Sequence, residues 1–109
     1  MAGPRRVVVS GIGAVSSVGI GVDDYWRGLA RGDSGVVPMP ELAALGVGVE
    51  VGAPVRDFEP RDFVDPDVLD GCGRTSQLGI AAAGLALEDA GYADASSLAA
   101  VGLRIFLGT

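Results

Sequence analysis

Arg5-Arg6-Val7-Val8-Val9-Ser10-Gly11-Ile12-Gly13-Ala14-Val15-Ser16-Ser17-Val18-Gly19 opens the chain, and Arg104-Ile105-Phe106-Leu107-Gly108-Thr109 closes it. Both are short apolar runs preceded by arginine and ending in small residues. Each predicts a buried strand whose C-terminal end meets a glycine turn. A helix-rich stretch separates them, which is the connection that two parallel strands of one sheet require. The predicted class is therefore α/β. In open sheets of this class the chemistry gathers beyond the C-terminal ends of the strands. The strand pair thus points at a site beyond its C-terminal ends, one that the chain itself is not expected to complete.

A chain of 109 residues fits one domain. It is 49% hydrophobic but only 6% aromatic, it has 18 glycines, and its mean hydropathy is +0.41. Small side chains and close backbone contacts must fill such a core. A chain of this kind exposes apolar surface unless something covers it, and a large exposed patch marks an interface. The composition predicts a piece of a larger α/β body or of an oligomer. The net charge is −6, and all eight positive residues are arginines, scattered except for Arg5-Arg6. No basic stripe tracks a phosphate backbone, which argues against nucleic acid as a partner.

The chain has one cysteine, Cys72, and no histidine. An internal disulfide, a Ser-His or Cys-His pair, and a histidine-based zinc site are all excluded within it. Arg5-Arg6 followed by Val7 to Val22 has the charge order of a signal peptide. Glycines and serines interrupt the run, however, and no small-x-small cleavage site follows. Leu78 to Leu87 is shorter than the roughly 18 to 20 residues of a bilayer span. The expectation is a soluble, cytoplasmic protein with no membrane partner.

Between the two strands the pattern predicts several helices. Asp23 stands at an N-cap position, Val22, Tyr25, Trp26 and Leu29 make an apolar stripe, and Gly32 stops the helix. Val36 to Gly48 reads as irregular, with Pro38 and Pro40 bracketing Met39 and a helical turn at Glu41 to Leu45, and Val47 to Gly52 predicts a short strand. Asp65 with Pro66 is a second helix start, with Val64 and Leu69 placed to staple it. Thr75 or Ser76 is expected to cap the longest helix, which runs to about Ala90 and stops at Gly91. That helix is apolar or small on every face from Leu78 to Leu87, the signature of burial all round. Ser96 to Ala100 predicts a last helical turn.

The candidates for chemistry are few. Gly11-Ile12-Gly13 invites a nucleotide-binding reading, but Ser16 holds the third position of the fingerprint and the helix starts only near Asp23. Cys72, between Gly71 and Gly73, has Arg74 and a helix start nearby but no base. The acids Asp57, Glu59, Asp62, Asp65, Asp67 and Asp70 match no calcium loop. Asp23-Asp24 and Glu88-Asp89 are adjacent pairs, which do not face one another on a helix. No catalytic residue, cofactor site or metal site is assigned to this chain.

Several of these segments together resemble one family. Arg6 to Gly19, then Trp26 and Leu29, then Gly32-Asp33-Ser34-Gly35-Val36, are similar to the opening of β-ketoacyl-acyl-carrier-protein synthases, the discrete elongating enzymes of fatty acid and type II polyketide assembly. Gln77 to Ala83 with Leu85 to Gly91 resembles that family's buried helix, and Arg104 to Thr109 its next core strand. The resemblance implies a thiolase-like fold, with residues 1–109 as the first part of its N-terminal half, a mixed sheet with a buried helix. It implies an acyltransferase that joins an acyl group held on a cysteine thiolate to malonyl on an acyl carrier protein by decarboxylative Claisen condensation. It further implies a homodimer, or a heterodimer with a related synthase subunit, that needs no cofactor. The family's cysteine nucleophile, two histidines and lysine fall after Thr109, so the chain is a partial domain cut before the nucleophile and is expected to be inactive alone. Gly108 and Thr109 match a segment near the acyl pocket, where their backbone would line it. Two departures stand out: Ser17 where the family commonly has proline, and Leu69 to Arg74 where it commonly has a basic stretch. They leave room for a specialised polyketide synthase, or for a chain-length-factor partner that lacks the nucleophile. A nucleotide-binding module is the remaining reading.

Overall fold

The computed structural model describes residues 3–92, 94–99 and 101–108. The first ordered unit is a hairpin of β1 (Val15–Ser16) and β2 (Gly19–Ile20), with Val15 opposite Ile20 and Ser16 opposite Gly19. Ser16 stiffens the turn: its hydroxyl donates to the Gly19 carbonyl at 3.1 Å and accepts from the Val18 amide at 3.2 Å. Gly21 then turns the chain into α1 (Val22–Arg31) with φ of 84° and ψ of 156°, a conformation open essentially to glycine alone. That turn makes Gly21 the N-cap in place of Asp23. Asp23 and Asp24 sit inside the first turn, where negative charge suits the helix dipole. Gly32, as expected, ends the helix in the left-handed region; its amide reaches Leu29 and that of Asp33 reaches Gly28.

The face of α1 that packs differs from the predicted stripe. Gly28 is buried, and a Cβ there would stand 2.7 Å from the Val18 carbonyl oxygen; one on Gly19 would meet the Tyr25 amide. Helix and hairpin therefore touch backbone to backbone. Val22 and Tyr25 share this contact as half-buried residues, while Trp26 stays 67% exposed. Exposed ion pairs join Arg27 to Asp24 and Arg31 to Asp33. Such pairs contribute little.

A second two-stranded sheet joins β3 (Val37–Pro38) to β4 (Val51–Gly52), with α2 (Pro40–Ala44) between them. The sequence predicts the later strand and the helical turn but not the partner strand, which lies in the stretch expected to be irregular. A 3-10 turn at Pro60–Asp62 follows, capped by the Glu59 carboxylate. Asp65 caps α3 (Pro66–Leu69) as predicted, accepting from the Asp67 amide at 2.9 Å. Around these turns lies a small core. Phe58 and Val64 are buried, Phe58 stacks on Phe63 at 5.5 Å, and the Arg74 guanidinium lies 4.8 Å from the Phe58 ring centre.

The longest helix, α4 (Arg74–Asp89), starts at Gly73 without a side-chain cap, so Thr75 and Ser76 fall inside its first turn. Longer side chains secure that end instead: Gln77 donates to the Cys72 carbonyl and Arg74 to that of Val55. Its C-terminus is as predicted, with Gly91 at φ 85° and amides of Gly91 and Tyr92 returning to Glu88 and Leu87. The expected burial on every face is not present. Ala81 is its fully buried residue, and a Cβ on Gly79 or Gly84 would meet nothing within 4 Å. The last helix, α5 (Ala95–Ala99), is capped by Asp94. Ala100, placed in that turn by the sequence, lies outside the described residues.

The mixed sheet is likewise not assembled. Val7–Val9 and Ile105–Leu107 run without a ladder partner, 75–92% and 80–90% exposed. The sheets among the described residues are the two antiparallel pairs. The physical reason is that a strand read as buried needs strands on both sides and cover on both faces, and these segments have neither. The whole molecule agrees with this. Its accessible surface is 8570 Å², against roughly 5,600 Å² for a compact monomer of this mass. Its radius of gyration is 17.5 Å, against about 13 Å.

Candidate functional site

The site predicted from the strand ends is only half in view. Gly108 lies at the end of an extended, exposed segment, and a Cβ placed on it would meet nothing within 4 Å. Thr109 lies outside the described residues. Among the described residues, the segment at Gly108 offers backbone and no reactive group.

The glycine pair after the first predicted strand has a clear role. A Cβ on Gly11 would run into the Ala86 carbonyl oxygen and stand 2.7 Å from Ala90; one on Gly13 would run into the Ala82 carbonyl and the Ala86 amide. These glycines let the Ser10–Gly13 segment lie directly on α4. They do not open a helix N-terminus, since the hairpin intervenes before α1. The phosphate-cradling geometry of a dinucleotide site, a glycine turn leading straight into a helix, is absent from this segment. Between the two glycines, the Ile12 amide donates to Asp89 Oδ2 at 2.9 Å. Sequence reading missed Asp89, which it notes only as half of the adjacent pair Glu88-Asp89. The available signal was its place, an acid in the last turn of a helix where the dipole disfavours negative charge.

Three grooves surround this junction. One of about 450 Å³ lies between Ile12, Ile20, Val22, Arg27, Leu85 and Glu88, with Asp23, Asp24 and Asp89 also in its lining. A second of about 460 Å³ runs past Phe63, Leu87, Tyr92 and Leu98. A third of about 430 Å³ follows Gly11, Ala86, Leu87 and Leu103. None holds a nucleophile with a base, and among the described residues no group of three or more His, Cys, Asp or Glu side chains is arranged to hold a metal ion.

Cys72 is a half-buried free thiol in the loop before α4. Arg74, its nearest cation in sequence, is committed to the Phe58 ring and the Val55 carbonyl. The acids from Asp57 to Asp70 act locally: Glu59 and Asp65 cap turns, and the others are exposed. Asp94 is held below the usual carboxylate range by the Ser96 hydroxyl first and the Ser97 amide second. Among the described residues, no helix is long and apolar enough to cross a membrane.

The comparisons with known proteins point to one family. The family model for the beta-ketoacyl synthase N-terminal domain matches residues 4–109. A 3-oxoacyl-[acyl-carrier-protein] synthase 2 of Coxiella burnetii is 37% identical over 87 residues, 80% of this chain and 21% of that protein. The tetracenomycin polyketide synthase ketoacyl synthase beta subunit of Streptomyces glaucescens is 34% identical over 91 residues, 84% and 22% of the two chains. Among solved structures, the ishigamide ketosynthase/chain length factor superposes with a TM-score of 0.71 and 42% identity, covering 80% of this chain and 22% of that one. The chain spans about a fifth of the length of the curated relatives it matches. Gly11, Gly13, the small-residue helix and the final apolar segment all fall within one continuous match. The chain belongs to the β-ketoacyl synthase family, matched over residues 4–109 by the model of that family's N-terminal domain.

Proposed function

We propose that this chain is the first part of the N-terminal half of a thiolase-like β-ketoacyl synthase, which performs decarboxylative condensation in fatty acid or polyketide assembly. In that reaction an acyl thioester on the enzyme is attacked by the carbanion left when malonyl on an acyl carrier protein loses carbon dioxide. A carbon–carbon bond forms, the enzyme thiol is released, and the 3-ketoacyl product stays on the carrier. The observation that carries the proposal is the continuous family match over residues 4–109. The open strand segments support it. Val7–Val9 and Ile105–Leu107 are apolar and exposed, and both suit inner strands of a mixed sheet that later sequence completes around α4. On this reading the cysteine, histidines and lysine of the family lie after Thr109, and the backbone of Gly108 and Thr109 flanks the acyl pocket.

A second reading has specific support: the chain comes from a chain-length-factor-like subunit that shapes the pocket of a catalytic partner. The solved neighbour is a ketosynthase/chain length factor, and one relative is a ketoacyl synthase beta subunit. One experiment separates the two. The protein encoded by the complete reading frame is incubated with malonyl-loaded carrier protein and an acyl donor, and the carrier is weighed by mass spectrometry. The first reading expects a 3-ketoacyl carrier from the protein alone. The second expects it only when a partner synthase is added. No condensation in either case contradicts both.

A further inference from the structure

We infer that Asp89 clamps the Ser10–Gly13 segment to α4 in a single register, and so ties the hairpin and α1 to the long helix. Three observations converge on it. Asp89 Oδ2 accepts the Ile12 amide hydrogen at 2.9 Å across 77 residues of sequence. Among the described residues it is the one side chain hydrogen-bonded between these two segments. Asp89 also sits where it harms its own helix. The last turn of α4 has Glu88 and Asp89 and no basic residue, although the carbonyl end of a helix favours cations. An acid kept at that end is explained by a tertiary partner, and the Ile12 amide is that partner.

The third observation is steric. Gly11 and Gly13 lie so close to Ala82, Ala86 and Ala90 that no Cβ fits at either position. Sliding the segment by one residue would place Ile12 in a glycine's position. Sliding it by two would place Val9 or Val15 there. The glycines thus forbid every neighbouring register, but with no side chains they supply little attraction in the permitted one. Ile12 cannot supply it by burial, since its side chain is more than half exposed. Asp89 supplies it, through the hydrogen bond that its Oδ2 accepts from the Ile12 amide. Once placed, the segment passes through Ala14, whose carbonyl accepts from Gly21 at 2.8 Å, directly into the hairpin and α1. Asp89 therefore positions a unit far from it in sequence.

The test is hydrogen–deuterium exchange with residue-resolving mass spectrometry over residues 8–21, on the parent protein and on D89A, D89N and E88A. D89A is expected to speed exchange of the Ile12 amide about tenfold. D89N keeps an acceptor oxygen and should hold that amide within about twofold of the parent, while E88A should leave it unchanged. Unchanged Ile12 exchange in D89A would overturn the proposal, as would an E88A effect as large as that of D89A. If D89A fails to fold, D89N decides: a protected Ile12 amide supports the clamp, and exchange at the rate of an unpaired amide refutes it.

Discussion

The junction of Ser10–Gly13 with α4 and the apolar segment Ile105–Leu107 look alike in sequence, since both are runs of apolar and small residues next to a glycine. In the structure they are opposites. At the junction, backbone lies on backbone and a Cβ has no room; at Ile105–Leu107, whole side chains stand 80–90% exposed. The difference is one of reach. Glycine contacts need one partner surface, and α4 provides it. A central strand needs neighbours on both edges and cover on both faces, which Ile105–Leu107 lacks among the described residues. The same contrast runs along α4 itself. The Ala82, Ala86 and Ala90 side is occupied by Gly11 and Gly13, while Gly79 and Gly84 face open space.

The largest way to break the contrast is Gly13→Ala. Its Cβ would collide with backbone of Ala82 and Ala86, atoms that cannot step aside as a flexible side chain can. Overpacking of this kind costs about 3 kcal/mol or more, so denaturant unfolding should show loss of the cooperative transition or a steep fall in its midpoint. Next comes the small second core. Phe58→Ala removes a buried ring that stacks on Phe63 and lies under Arg74, a loss of about 3 kcal/mol by the same measurement. Asp65→Ala deletes the cap of α3 at about 1 kcal/mol, with faster exchange of the Asp67 amide as its local sign.

Gly79→Ala tests the open side of α4. With nothing near the added methyl, it should stabilise the isolated chain by about 0.5–1 kcal/mol, the usual gain of alanine over glycine within a helix. Destabilisation would mean that this face is already covered. The smallest effect concerns Asp94. Its carboxyl is held below the usual range by Ser96 and Ser97. A depressed folded-state value means that the cap contributes above the unfolded-state value and is lost as pH falls through the folded-state one. Exchange of the Ser97 amide should therefore rise, relative to its intrinsic rate, only below the ordinary aspartate range.

Much of the local structure was legible because it rests on local chemistry. Gly32 and Gly91 as helix ends, and Asp65 with Pro66 as a helix start, depend on a few neighbouring residues. Where tertiary geometry decides, the sequence misled. Asp23 looks like an N-cap, yet the hairpin exit demands the glycine conformation of Gly21. Thr75 and Ser76 look like caps, yet Gln77 and Arg74 hold that end from within the helix. Trp26 and Leu29 fit an apolar stripe, while the true contact is Gly28 on Val18, which no hydrophobic pattern reveals. The buried sheet and buried helix were read from apolar runs and from the family resemblance, and neither says which chain segment supplies the cover. The site was legible only as a direction, since Gly108 and Thr109 carry no reactive group and Asp89 was hidden by its polar character.

The central claim is that the described residues are closed at the glycine junction and open along their predicted inner strands. Residue-resolved hydrogen exchange on the isolated chain, with binding of a hydrophobic dye, measures both halves of that claim at once. The account predicts protected amides at Ile12 and at Val15 to Ile20, unprotected amides at Val7–Val9 and Ile105–Leu107, and dye binding. A chain that binds no dye and protects Val7–Val9 as strongly as the hairpin would contradict it.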